Sequence, residues 1–241
     1  MNTQATLQLM QTMKLTGMAA SYEAIIDLPM DKHPVTHECV ATLIEAELQS
    51  RSYKRTSMLL RLSKLRYTAS LKDIICNENR NLSKQSISQL ADCAFIERAE
   101  NLLITGATGC GKSYLACALG NQACLMGHRT LYYNMNRLCE QILVSKAEGT
   151  YIKWINRMQK AKLIILDDFG LQPMNNEIRL ALLQILEDRY ARSSTIIASQ
   201  LPASAWYEYI GDPTIADAIM DRLTAKCSKI ELQGKSLRRS S

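Results

Sequence analysis

Asn101-Leu-Leu-Ile-Thr-Gly-Ala-Thr-Gly-Cys-Gly-Lys-Ser-Tyr-Leu115 runs from an apolar segment, through a glycine-rich turn, into a helix-forming segment. Inside it lies Gly106-x-x-x-x-Gly111-Lys112-Ser113, the pattern of a phosphate-binding loop. The residue types suit that chemistry. Gly106, Gly109 and Gly111 let the backbone turn tightly, so that successive N–H groups can face phosphate oxygens. Lys112 can reach the β- and γ-phosphates of ATP, and the Ser113 hydroxyl can ligate Mg²⁺. The helix after the loop directs its positive dipole end at the same anion. Gly106, Ala107, Thr108, Gly109, Cys110, Gly111, Lys112, Ser113 and Tyr114 are therefore the candidate nucleotide contacts. Leu102–Thr105 reads as a buried strand and Tyr114–Met126 as a helix, the strand–loop–helix setting that separates this motif from a bare glycine turn.

Moving outward, apolar runs and helical patterns alternate. Thr130–Asn134, Leu163–Leu166, Thr195–Ala198 and Lys229–Leu232 read as further strands. Arg137–Val144, Tyr151–Lys160, Asn176–Arg192, Trp206–Ile210 and Ile215–Cys227 read as helices. This is an α/β pattern: a parallel five-stranded sheet with helices on both faces. Leu163-Ile-Ile-Leu-Asp167-Asp168 is the expected companion of the loop. A buried strand ending in acids delivers carboxylates beside the phosphates: Asp167 to hold Mg²⁺, Asp168 to orient an attacking water. Ser199-Gln200 ends another strand, and Ser199 is the expected polar group facing the γ-phosphate.

Residues before the sheet read differently. Leu7, Met10, Met13, Leu15 and Met18 follow a helical period with Gly17 as a break or cap, and a long helix is expected from Thr36 or His37 towards Arg66. The expected organisation is a helical domain over 1–70, a polar linker over 71–98 and the ATPase domain over 99–241. Charge is uneven. Residues 1–47 carry −4, 48–72 carry +7 and the remainder +3, for a net +6. Arg51, Lys54, Arg55, Arg61, Lys64 and Arg66 come without one acid among them, whereas a solvated helix face ordinarily mixes signs. They are the expected contacts to double-stranded DNA.

Other function classes are disfavoured. The 8 cysteines form no Cys-x-x-Cys pair, and His33, His37 and Cys39 lack a fourth ligand. The opening Met1-Asn-Thr-Gln-Ala has no secretory signal character, and no apolar run reaches membrane-spanning length. A cytoplasmic protein without membrane contact is expected.

Four segments together resemble the AAA+ ATPases of the IstB/DnaC group: Gly106–Ser113, Leu166-Asp-Asp-Phe-Gly170, Ser199-Gln-Leu-Pro202 and Met220-Asp-Arg-Leu223. Met13-Lys-Leu-Thr-Gly-Met18 and Ile230-Glu-Leu-Gln-Gly-Lys-Ser-Leu-Arg238-Arg239 resemble the IstB-like transposition helpers in particular. The resemblance implies a homo-oligomeric, ATP-dependent DNA-binding protein that recruits a cognate, IstA-like transposase. It implies Arg222 as an arginine finger reaching a neighbouring subunit and Arg238 as a sensor near the phosphates. It also places Leu71–Cys76 near the adenine, although Ile74 and Cys76 stand where aromatics are expected, and Asp168 stands where many such ATPases carry Glu. A DnaC-type helicase loader shares these nucleotide motifs and is the alternative. A metabolic P-loop kinase would leave the basic block unexplained.

Overall fold

A computed structural model describes residues 2–237 of the chain. The chain divides after Met58, inside a long helix, into units 1–58 and 59–241.

The first unit is helical. It comprises α1 (Thr3–Thr12), α2 (Thr16–Ile26) and the greater part of α3 (Thr36–Ser63). The α1–α2 break falls at Met13–Leu15, where Lys14 adopts a left-handed φ of 59°. Gly17, expected to break or cap a helix, lies just after the break, in the first turn of α2. A β-carbon there would sit 2.3 Å from the Ala46 carbonyl oxygen, so α2 and α3 approach backbone to backbone. Leu15, the N-cap of α2, supplies no side-chain cap. Glu47 of α3 supplies one from outside, accepting from the amides of Gly17 at 2.8 Å and Met18 at 3.2 Å.

The second unit is the α/β sandwich. After α3 come α4 (Lys84–Ala91) and α5 (Ala94–Glu97), then β1 (Asn101–Gly106), α6 (Lys112–Leu125), β2 (Thr130–Asn134), α7 (Met135–Ala147), α8 (Tyr151–Gln159), β3 (Leu163–Phe169), α9 (Asn176–Arg189), β4 (Ser194–Ser199), α10 (Trp206–Ile210), α11 (Pro213–Thr224) and β5 (Cys227–Leu232). The strands form one sheet in the order β2-β3-β4-β1-β5, and every pairing is parallel. Successive side chains of a strand point to opposite faces, and the two cores follow that rule. Leu103, Ile164, Leu166 and Ile197 pack with Leu138, Leu182, Trp206 and Ile219. Leu102, Ile104, Ile165 and Ile196 pack with Leu115, Leu119, Ile87 and Phe95 on the other face. The segment 71–98, expected as a linker, is part of this second core: Leu82, Ile87, Cys93, Phe95 and Ile96 are all buried in it. Its polar composition belongs to its outer face.

Because all strands run the same way, their C-terminal tips share one edge of the sheet. Thr105 is level with Ser199, and Asn134 with Asp167. Loops leaving those tips converge, which is where open α/β sheets bind ligands. No described helix is long and apolar enough to cross a membrane.

Candidate functional site

Gly106 leaves β1 at φ 144°, and a β-carbon on it would meet the Leu232 carbonyl oxygen at 2.2 Å. Gly111 opens α6 at φ 96° with no side-chain cap, so the first-turn amides remain for an anion. Lys112 is 7% exposed and donates to the carbonyls of Gly106 and Ala107 at 2.8 Å each. A pocket of about 330 Å³ lies against this loop, within the range of small-molecule sites. Thr108, Gly109, Lys112, Ser113, Asp168 and Gln200 are among its polar lining residues, and Tyr67, Ile74, Leu82, Tyr114, Leu232 and Leu237 supply apolar surface.

The acids stand where the β3 ladder breaks. The register of β3 against β4 shifts between Leu166 and Phe169, and Asp168 takes a left-handed φ of 59°. In a regular strand two adjacent carboxylates would point to opposite faces; at this irregularity both lie within 4 Å of one cation, with Arg66 Nη1 3.5 Å from Asp168 and 3.9 Å from Asp167. Asp167 is fully buried, accepting from the Ser113 hydroxyl at 2.9 Å and the Tyr132 phenol at 2.6 Å. Burial, and then the Asp167 hydrogen bond, pushes the Tyr132 phenol upward, so it remains a donor at neutral pH. Asp168 accepts from Asn134 Nδ2 at 2.6 Å and has Arg66 Nη1 at 3.5 Å. Burial, and then Asp167, raises its carboxyl above the ordinary value, while Arg66, Lys112 and Asn134 oppose the rise. Ser113 and Asp167 thus bring a hydroxyl and a carboxylate together, hard oxygen donors of the kind Mg²⁺ takes alongside phosphate. Among the described residues no three His, Cys, Asp or Glu side chains cluster as a metal site, His33, His37 and Cys39 included.

Ser199 requires a correction. It is fully buried, and its hydroxyl donates to the Phe169 carbonyl at 2.6 Å and accepts from Leu201 N at 3.0 Å. The hydroxyl joins two strand tips and does not face the pocket. Its neighbour Gln200 does, accepting from the Thr108 hydroxyl at 2.7 Å.

Arg222 is remote from the loop of its own chain. The Asn101 amide, at the start of β1, donates to the carbonyls of Arg222 and Leu223 at 3.0 and 3.2 Å. The phosphate loop leaves the other end of that strand, roughly 17 Å away at about 3.3 Å per residue. Arg222 Nε pairs with Glu187 at 2.6 Å, a partner its sequence neighbourhood does not suggest, and Nη1 lies 3.5 Å from Asp221. Arg238 falls outside the described residues; the chain before it returns to the loop, with Leu237 N donating to the Gly109 carbonyl at 3.0 Å.

The basic block is divided. Arg51 pairs with Glu47 at 2.7 Å and Lys54 donates to the Thr16 hydroxyl. Those two, with Arg55, Arg61 and Lys64, are all exposed. Arg66, grouped with them by sequence, faces Asp168 because α3 ends at Ser63 and the chain turns to the sheet tips.

Several pocket residues lie outside every motif. Arg80 is 8% exposed and donates to the carbonyls of Ile75 at 3.0 Å and Cys110 at 2.6 Å, fastening the segment before the sheet to the phosphate loop. Tyr67, with its ring centre 6.1 Å from that of Tyr114 in the phosphate-loop segment, adds to the aromatic surface expected nearer Ile74 and Cys76. Asn134 was open to the rule that exposed the acids, a polar residue terminating an apolar strand. Nothing local marks Arg80, Tyr132 or Tyr67.

Known proteins share this arrangement. An insertion-sequence ATP-binding protein of Sinorhizobium fredii is 41% identical over 235 residues, covering 98% of this chain and 96% of its own. Another, from Pseudomonas fluorescens, is 38% identical over 205 residues, covering 85% and 89%. Among solved structures, DnaI superposes with a TM-score of 0.59 at 21% identity, covering 70% of this chain and 90% of its own. The DnaC helicase loader gives 0.57 at 16% identity, covering 69% and 98%. Those two likenesses establish the fold, a P-loop sheet of AAA+ type. The model of the IstB-like ATP-binding protein family matches residues 8–241, and with the phosphate loop, the paired acids and the strand order in place, the chain belongs to that family of AAA+ ATPases.

Proposed function

We propose that this chain is an Mg²⁺-dependent ATPase that assembles as a homo-oligomer on double-stranded DNA in the cytoplasm and delivers a transposase to it. The observation that carries the reading is the convergence of Lys112, Ser113, Asp167 and Asp168 at one sheet edge, in a chain whose 41%-identical relative is an insertion-sequence protein. Lys112 balances the β- and γ-phosphate charge, with the amides of 106–114 around it. Ser113 and Asp167 hold Mg²⁺, which when bound neutralises charge developing between the phosphates. Asp168 takes a proton from the attacking water, held in place by Asn134. Gln200 replaces Ser199 as the polar group at the β4 tip. Arg222, turned away from its own loop, acts on the site of a neighbouring copy.

Arg51, Lys54, Arg55, Arg61 and Lys64 are all exposed and are the DNA contacts of this reading; Arg51 and Lys54 also reach Glu47 and Thr16 within the chain. The helical part of the chain, through residue 70, serves as the DNA- and partner-binding module, and the sheet-bearing part after it as the ATPase module.

Two measurements test the reading. Lys112→Ala should weaken binding of a fluorescent ATP analogue about 10²-fold, the effect of losing charge-assisted hydrogen bonds worth about 3 kcal/mol. The transposase encoded beside this protein should capture target DNA faster with the wild type plus ATP than with Lys112→Ala. Stimulation of helicase loading, with none of the transposase, would transfer the reading to the DnaC-type alternative.

A further inference from the structure

Arg66 joins two activities that the proposed function leaves separate. Its Nη1 is 3.5 Å from Asp168 Oδ2 and 3.9 Å from Asp167 Oδ2, and its Cζ lies 5.2 Å from the Tyr67 ring centre. Asp167 is wholly buried and the Asp168 side chain is 22% exposed. Two such carboxylates on adjacent residues repel, and a cation beside both relieves the repulsion. Mg²⁺ held by Ser113 and Asp167 would stand beside the same two carboxylates, so guanidinium and metal compete for one patch of negative charge.

The hold of Arg66 on the acids is incomplete. Its side chain is 42% exposed. Its contacts to the two acids, made through Nη1, are longer than the roughly 2.7–2.9 Å of a charge-assisted hydrogen bond. A guanidinium carries a planar fork of donors that matches phosphate well. The residue also stands just beyond Ser63, where α3 ends, with Arg61 and Lys64 exposed immediately before it. A phosphate backbone drawn to those cations comes within reach of the exposed part of Arg66.

We propose that Arg66 is a transferable counter-ion: it covers the Asp167–Asp168 pair, and a DNA phosphate at the end of α3 takes it over, leaving the pair to a divalent cation. This rests on the DNA-binding, Mg²⁺-dependent reading above and adds the link between the two ligands. DNA then tightens metal binding at the ATP site, and by reciprocity the metal tightens DNA binding by the same factor.

The test uses the full chain with saturating ADP and follows free Mn²⁺ by its paramagnetic resonance signal, with and without a mixed-sequence duplex. Mn²⁺ held by the duplex alone is subtracted, and duplex binding is measured separately by anisotropy. In the wild type, duplex should lower the half-saturating Mn²⁺ concentration roughly fivefold, the scale of one partly screened charge near the site. Arg66→Gln should start at the lower value and not respond to duplex. Arg66→Lys, which keeps the charge, should respond like the wild type, an outcome that distinguishes charge from mere packing on Tyr67. The proposal is overturned if wild-type Mn²⁺ binding ignores bound duplex, if Arg66→Gln responds as the wild type does, or if Arg66→Lys behaves like Arg66→Gln. Asp167→Asn keeps the two readings apart: if it leaves Mn²⁺ binding unchanged, the metal site itself is misassigned. If no duplex binds, the DNA reading fails, and the transfer with it.

Discussion

Asp168 shows how the site is built against the stability of its own fold. Its backbone is left-handed, a region that Asp and Asn tolerate better than most residues. Burial, and then Asp167, raises its carboxyl. A carboxyl whose folded pKa exceeds its unfolded value costs the folded state at pH 7, where it is ionised, and that cost fades as pH falls through the folded pKa. A neutral isostere removes it. Asp168→Asn should therefore raise the melting temperature at pH 7 while lowering hydrolysis about 10²-fold or more; a lower melting temperature would show that the Arg66 contact outweighs the burial. Asn134 acts in the opposite direction, since its 2.6 Å hydrogen bond favours the ionised acid. Asn134→Ala should move the acid limb of the kcat–pH profile upward and leave ATP affinity within about twofold. A profile superimposable on that of the wild type would detach Asn134 from the hydrolytic acid. The acids and the phosphate loop were legible because each is a contiguous pattern with a local reason. Asn134, Tyr132, Arg66 and Arg80 reach the site from other segments, and only the tertiary fold brings them there.

Helices and strands were legible where their period was clean. Thr130–Asn134 and Trp206–Ile210 are bounded as their patterns indicate, and α3 stops at Ser63, short of Arg66. The segment 71–98 misled because its outer polar residues outnumber the few apolar ones it buries, and burial is a tertiary fact. Gly17 misled for a related reason. Glycine inside a helix ordinarily costs stability, and the gain here is the close approach of α3, which the residue's own helix does not reveal. Gly17→Ala should destabilise the first unit by about 1–3 kcal/mol, the usual cost of overpacking, because the obstructing atom is backbone and cannot turn aside. Denaturant titration checks this, and an unchanged midpoint would mean that α2 can slide without penalty. The basic face of α3 supports a finer expectation than its charge alone. Arg61→Gln with Lys64→Gln should reduce the slope of log affinity against log salt by about 0.9 for each duplex phosphate that is no longer neutralised. Arg51→Gln should instead loosen Glu47, whose carboxyl is held below its ordinary value first by the Arg51 hydrogen bond. An unchanged slope in the double variant would return both residues to the role of a solvated face.

At the scale of the whole molecule, the candidate functional groups of one chain lie at two edges of one sheet that do not meet. The phosphate loop, the acids and Gln200 gather at the C-terminal tips of the strands, whereas Arg222 lies at the end where β1 begins. In its own chain Arg222 is tied to Glu187 and Asp221. Its side chain is 28% exposed and Glu187 is 55% exposed, so the pair is a surface ion pair of the kind that contributes about 0–1 kcal/mol and that a stronger anion can replace. A triphosphate presented by a second copy is such an anion, and a guanidinium fork suits it. Arginine fingers contribute roughly 10³–10⁵ in rate in other P-loop enzymes. Arg222→Ala should bind ATP like the wild type and hydrolyse it poorly. Lys112→Ala should fail at binding while offering an intact Arg222. Mixed in equal amounts, the two should recover part of the wild-type rate, because a Lys112-containing site can then face an Arg222-containing neighbour. Glu187→Ala gives a third arm: it frees Arg222 from its intrachain partner, so hydrolysis should be maintained or increased. Full activity of Arg222→Ala, or no recovery in mixtures shown by light scattering to co-assemble, would reduce Arg222 to the surface ion pair it forms within one chain.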